Sequence, residues 1–225
     1  MTRCLLCLVP LFLIVVLGAT VQAEDTEKSS PFARWESKIK AFEEQDKTDP
    51  PPKNGLLFVG SSSIVRWDLP KSFPEMPVIN RGFGGSQIVD SIHFADRIIS
   101  PHEPRVIVFY AGDNDIASGK SAKRVFNDYQ EFVTLVHKRL PKTKVVYIPI
   151  KPSIRRWSMW DKMNDANTRI ETYAKQHSHL EYVDIATPML AAEGPPPEKW
   201  FVSDGLHLSA EGYALWTALV LPHLK

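Results

Sequence analysis

Five short runs of apolar, largely β-branched residues punctuate the chain, and no other feature restricts its folding as much. They are Leu56–Val59, the weaker Pro77–Ile79, Arg105–Tyr110, Lys144–Ile150 and Leu180–Val183. A run without polar alternation suits a strand buried on both faces. Helical patterns lie between them. Ile88, Ile92, Ala95 and Ile99 share one face, with Ser86 as the expected N-cap. Val125, Tyr129, Phe132, Val133, Val136 and Leu140 form a second face, and Met163, Ala166, Ile170, Tyr173 and Ala174 a third. Ser209 is placed to cap a last helix carrying Tyr213, Trp216, Leu219 and Val220. Strand and helix in alternation predict a three-layer α/β/α sandwich on a five-stranded, mainly parallel sheet. Right-handed crossovers then put helices on both faces. Ligands in such sheets bind beyond the carboxyl ends of the strands.

What precedes the first strand is different in kind. Arg3 is followed by an apolar run from Cys4 to Ala19, then by Val21-Gln22-Ala23 and the acidic Glu24-Asp25. This is the pattern of a secretory signal peptide over residues 1–23, cleaved after Ala23, and it implies export to the periplasm or outside. A retained anchor is the alternative, but the run is short for a span of about 20 residues. No stable membrane insertion is expected after cleavage. Residues 24–53 form an N-terminal helix and connector. Ser30-Pro31 reads as its start, Phe32, Trp35, Ile39 and Phe42 as its buried face, and Asp49-Pro50-Pro51-Pro52 as its stop. Residues 54–225 are the expected catalytic domain, and no internal repeat divides them.

Both cysteines, Cys4 and Cys7, fall inside the leader, so the mature chain has no disulfide to form and no thiolate for a metal. Removing Arg3 leaves 26 basic residues against 26 acidic ones. No basic excess points to nucleic acid.

The chemistry-bearing residues gather after the strand runs. Gly60-Ser61-Ser62-Ser63-Ile64 follows the first, Asn80-Arg81-Gly82-Phe83-Gly84-Gly85-Ser86 the second, and Ala111-Gly112-Asp113-Asn114-Asp115 the third. Ser203-Asp204-Gly205-Leu206-His207 lies near the C-terminus. Singly, each has an ordinary structural explanation: a helix cap, a glycine turn, an Asp/Asn turn, a surface turn. The glycine turn lacks both the lysine of a P-loop and the spacing of a dinucleotide fingerprint. All four together, in strand order, are harder to assign to chance.

In these blocks the sequence resembles the SGNH, or GDSL-type, hydrolases, and within them the platelet-activating-factor-acetylhydrolase-like esterases. The resemblance runs from about Trp35 to Leu224 and implies a flavodoxin-like fold and serine ester hydrolysis. Phe58–Ile64 matches the family's first block and implies Ser62 as nucleophile. Asn80–Gly85 matches the second, with its glycine at Gly85. Gly112–Asp115 matches the third, with its asparagine at Asn114. Asp204–His207 matches the last, with acid and base three residues apart. Two positions depart from the family pattern. Ser61 stands where an aspartate is usual, and Asp113 where a threonine is common. The resulting serine triplet leaves open which hydroxyl attacks; the alignment favours Ser62 over Ser61 and Ser63.

The implied chemistry is acyl transfer. His207 takes the serine proton, and Asp204 holds the imidazole in the needed tautomer. The backbone N–H groups of Ser62 and Gly85 and the amide of Asn114 form the oxyanion hole. Glycine is expected at position 85 because a side chain would obstruct the substrate. No metal or organic cofactor is required. The loop Lys151–Trp157 follows the fourth strand, so Arg155, Trp157 and Trp160 are candidates to line the substrate pocket; a surface loop with a packed tryptophan fits equally. Trp67 is assigned to the core. His177 and His179 lack a third ligand at metal spacing. His93, His102, His137 and His223 are expected to face solvent. A short acyl ester, acetyl on a carbohydrate, is the leading substrate. Lysophospholipids and thioesters stay open. A silent binding protein would be expected to have lost one of Ser62, Asn114, Asp204 or His207.

Overall fold

The computed structural model describes residues 30–225. The signal peptide inferred for residues 1–23 and the start of the 24–53 segment lie outside the described residues. Among the described residues five strands form one sheet: β1 (Leu56–Gly60), β2 (Val78–Gly82), β3 (Val106–Tyr110), β4 (Lys144–Tyr147) and β5 (Leu180–Tyr182). Their order is β2-β1-β3-β4-β5 and every pairing is parallel, as the apolar runs predict. The helices are α1 (Glu36–Thr48), α2 (Ser62–Val65), α3 (Leu69–Ser72), α4 (Ile88–His93), α5 (Ala95–Ile98), α6 (Asp113–Ala117), α7 (Ala122–Arg139), α8 (Trp160–Ala174) and α9 (Ala210–Val220). Among the described residues no helix is long and apolar enough to cross a membrane.

Side chains alternate between the two faces of each strand. Phe58, Val108 and Tyr110 pack with Trp67, Phe73 and Trp216 on one side, and Trp67 is core as expected. On the other, Phe132 of α7 stacks on Phe109 with ring centroids 3.9 Å apart, and Tyr129 meets Tyr147. Burying an aromatic or aliphatic side chain of this kind contributes about 1.5–3 kcal/mol. The sheet order reverses direction between β1 and β3. The register there sets Gly60 beside Gly82 and Tyr110, so three strands end at one edge. That edge is the crevice where ligands of open α/β sheets bind.

Several boundaries differ from the sequence expectation, each for a local reason. β4 stops at Tyr147 because Pro149 has no N–H to continue the ladder. Asn167 takes over, accepting from the Ile150 N–H and donating to its carbonyl, both at 2.8 Å. β2 runs past Ile79 through Asn80 and Arg81, whose polar groups find partners at the sheet edge: Asn80 donates to the Ile64 carbonyl and Arg81 pairs with Asp46. The helical run expected from Ile88 to Ile99 breaks at Phe94 into α4 and α5. Its cap is not Ser86 but Gln87, in a reciprocal capping box with Asp90. α1 starts at Glu36, after a short 3-10 turn Ala33–Trp35, so Ser30-Pro31 does not cap it. Ser209 does cap α9, accepting from the Gly212 N–H at 3.2 Å.

Of the four histidines expected in solvent, only His93 is exposed. His102 is buried near Asp46 and Arg81, and burial with the Arg81 charge lowers its pKa. The His137 ring meets His179, and His223 bonds Glu181 at 2.6 Å.

Candidate active site

The serine triplet occupies the turn from β1 into α2. Gly60 makes that turn possible: at φ +144° its Cα passes so close to β3 that a Cβ would lie 1.9 Å from the Tyr110 carbonyl oxygen. Ser61 follows in extended conformation, donating its N–H to that same carbonyl at 3.2 Å. Its own carbonyl accepts from the N–H groups of Ile64 and Val65, closing the first turn of α2. Ser61 and Ser63 are thereby buried, while Ser62 projects from the sheet edge. The Ser62 Oγ lies 3.0 Å from His207 Nε2. Among the described residues no other serine of the triplet meets this ring.

His207 is held from its other side. Its Nδ1 lies 2.6 Å from Asp204 Oδ2. Asp204 Oδ1 accepts from the N–H groups of Leu206 and His207, both at 2.9 Å, so the carboxylate is fixed by its own turn. Burial by itself would raise the Asp204 carboxyl. The hydrogen bonds from the His207 ring and from the two amides outweigh it and hold the group well below the ordinary carboxylate value. The ring Nδ1–H therefore faces a permanent anion, leaving Nε2 as the acceptor toward Ser62.

Gly85 and Asn114 follow β2 and β3, whose ends stand level with the end of β1. Gly85 sits at φ +76°, a conformation costly for residues with a side chain. A Cβ at Gly85 would meet no protein atom within 4 Å, so within the protein the demand for glycine is conformational. Among the described residues nothing accepts a hydrogen bond from the N–H of Gly85 or Ser62, and both donors are uncommitted. Asn114, in the first turn of α6, donates Nδ2–H to the Ser86 carbonyl at 3.0 Å. Its Oδ1 accepts from Arg156 Nη1 at 3.3 Å and Nη2 at 3.2 Å.

Behind Asn114 lies a charged cluster that pattern reading missed. Asp113 is buried and pairs with Arg156 and, at 3.1 Å, with Lys151. The Tyr110 hydroxyl donates to Asp113 at 3.2 Å and accepts from Lys151 at 3.0 Å. Burial pushes Lys151 down to about 8, and burial pushes the Tyr110 phenol up. Lys151 was visible only as the start of a loop without an assigned role, and Arg156 only as the neighbour of Arg155. The signal that marks them is the buried anion at position 113, which requires cations nearby.

The loop candidates divide. Arg155 is exposed and lines an open cleft of about 550 Å³ beside Asp204, with Ile154, Glu198 and Lys199. Its N–H donates to the Gly205 carbonyl at 3.0 Å, tying the loop to the histidine turn. Trp157 is half-buried and stacks on Trp160, centroids 6.2 Å apart and planes 10° apart. It does not line that cleft. His177 bonds the Tyr173 carbonyl, and among the described residues no group of three His, Cys, Asp or Glu is placed to hold a metal.

Comparison with known proteins gives the family and the fold. The model of the GDSL-like lipase/acylhydrolase family matches residues 60–215, a span holding every residue just described. No curated protein matches the sequence. Solved structures are similar in fold. One is a Streptococcus pneumonia protein provisionally assigned as a platelet activating factor, at 20% identity and TM-score 0.76, covering 91% of this chain and 98% of that one. A GDSL-like lipase from Bacteroides thetaiotaomicron is similar at 23% identity and TM-score 0.72, covering 83% and 96%. An acetylxylan esterase from Geobacillus stearothermophilus is similar at 16% identity and TM-score 0.59, covering 77% and 95%.

Proposed function

Because this chain belongs to the GDSL-like lipase/acylhydrolase family and is an ester-hydrolysing enzyme, we propose that it is an exported serine esterase removing short acyl groups, acetyl on carbohydrates, through an acyl-enzyme on Ser62. The observation that carries this reading is the line of contacts from Asp204 through His207 to Ser62, at 2.6 and 3.0 Å.

A serine hydroxyl attacks an ester only when a base takes its proton. In this reading His207 Nε2 takes it as the Ser62 Oγ bonds to the carbonyl carbon. The carbonyl oxygen becomes an oxyanion, and the N–H groups of Ser62 and Gly85 and the Asn114 amide donate to it. The imidazolium, steadied by Asp204, then gives its proton to the departing alkoxide. A water, deprotonated by the same ring, attacks the acyl carbon, and collapse returns the serine and releases the acid.

Two features support a short acyl group on a polar alcohol. The cleft beside Asp204 sets the charged and polar side chains of Arg155, Glu198, Lys199 and Ser203 beside Ile154, Phe201 and Val202, a mixed lining that offers hydrogen-bond partners to a hydroxylated alcohol half. The acetylxylan esterase named above shares the fold, as does an acetyl esterase captured with acetate, at 17% identity and TM-score 0.58.

The test is a panel of p-nitrophenyl esters of increasing acyl length beside acetylated xylooligosaccharides, with Ser62→Ala as the control. Acetyl turnover should exceed that of long acyl chains, and Ser62→Ala should remain folded but lose activity by about 10⁴-fold or more. Full activity in Ser62→Ala would reject the nucleophile. A preference for long acyl chains would reject the substrate class alone.

A further inference from the structure

We propose that Arg156 is a positioning residue for the reaction: it locks the side-chain amide of Asn114 so that a donor, not an acceptor, faces the oxyanion. This rests on the reading of Asn114 as an oxyanion-hole donor. The two ends of an asparagine amide are nearly equal in size, and packing by itself hardly distinguishes them. Their chemistry differs in sign: a carbonyl oxygen turned toward the oxyanion would repel it, whereas an N–H stabilises it.

Two contacts set the orientation. The Ser86 carbonyl accepts one hydrogen from Asn114 Nδ2. At the other end Asn114 Oδ1 accepts from both terminal nitrogens of Arg156. Rotating the amide by half a turn would set carbonyl against carbonyl and N–H against guanidinium. Guanidinium carries only donors and does not lose its charge in proteins, so it can never accommodate the flipped form. Nδ2 carries two hydrogens and Ser86 takes one, which leaves one for the substrate.

Arg156 is itself held. Its side chain is largely buried and pairs with Asp113, the residue immediately before Asn114. Asp113 is braced from behind by Lys151 and by the Tyr110 hydroxyl. The loop carrying Arg156 is anchored through the Arg155 N–H on the Gly205 carbonyl, within the turn that presents Asp204 and His207. Two cations share one carboxylate, so an excess of positive charge stands behind Asn114. That sign favours negative charge developing in front of it.

The experiment is a double-mutant cycle on p-nitrophenyl acetate. Arg156→Met should lower kcat by about 10- to 100-fold, less than outright loss of an oxyanion donor, with KM little changed and the circular dichroism spectrum intact. In an Asn114→Ala background the same substitution should cost almost nothing more, because the amide it positions is gone. Arg156→Lys, which keeps the charge but not the paired donors, should recover only part of the loss. Wild-type kcat in Arg156→Met would overturn the proposal, and so would an equal loss in both backgrounds. If Arg156→Met does not fold, Arg156→Gln, which retains one donor amide, enters the same cycle under the same criteria. An Asn114→Ala enzyme as active as wild type would instead bring down the parent reading of Asn114, and this one with it.

Discussion

The base and the oxyanion hole proposed on either side of Ser62 are built by different means. On the base side, Asp204, Leu206 and His207 form a unit of four consecutive positions, and its hydrogen bonds span two or three residues. On the oxyanion side, Ser62, Gly85 and Asn114 arrive from the ends of three strands, and the asparagine accepts from an arginine of a fourth segment. The base side is partly exposed and carries its order in its own turn. The oxyanion side takes its order from the sheet register, which brings Gly60, Gly82 and Tyr110 level, and from a buried charge cluster. A local unit can lose function with its surroundings intact, whereas a tertiary one is coupled to the stability of what surrounds it.

Substitutions sharpen this contrast. The largest effect is expected for Asp204→Asn, which keeps the shape but offers the ring the wrong partner: kcat should drop by about 10⁴-fold. Because the carboxylate is half-exposed and locally bonded, its melting temperature should stay near wild type; a large fall would show that the base side is not an independent unit. Next comes Asn114→Ala, for which loss of one oxyanion donor should lower kcat by about 10²–10³-fold with KM little changed. Here the melting temperature should fall as well, since the Ser86 carbonyl and Arg156 both lose a partner.

The smallest effect is on stability and depends on pH. Burial holds Lys151 at about 8, below the ordinary lysine value of about 10.4. Between these values the unfolded chain binds a proton that the native chain does not, so this group makes stability rise with pH across that window. Urea titrations of wild type and Lys151→Met should therefore converge or diverge only between about pH 8 and 10, by roughly 1–3 kcal/mol, with wild type gaining. Parallel curves through that range would mean that Lys151 titrates as a solvated lysine.

Particular residues show how much was legible beforehand. Continuous apolar runs announce strands buried on both faces, so β1 and β3 are found almost to the residue. Pro149 cuts β4 short because a missing N–H acts through a neighbouring strand that the run itself does not reveal. Asn80 and Arg81 look unlike strand residues, yet they extend β2 because Ile64 and Asp46 satisfy them. His102 has no helical or strand signature that separates a buried ring from an exposed one. Between Arg155 and Arg156 the residue type is identical; the backbone turn alone sends one to solvent and the other to Asn114.

Features that depend on near neighbours were thus contained in the chain's order: the alternation that makes a parallel α/β sandwich, the strand-end blocks that mark the family, and the three-residue spacing that lets Asp204 meet His207. Tertiary structure set the Ser62 hydroxyl, which the resemblance favoured, against the ring, gave position 85 its positive φ, and decided which arginine meets Asn114. Those outcomes turn on distances between segments far apart in sequence. They are set by strand register and by the need of a buried charge for partners, and neither quantity is written in any one stretch of chain.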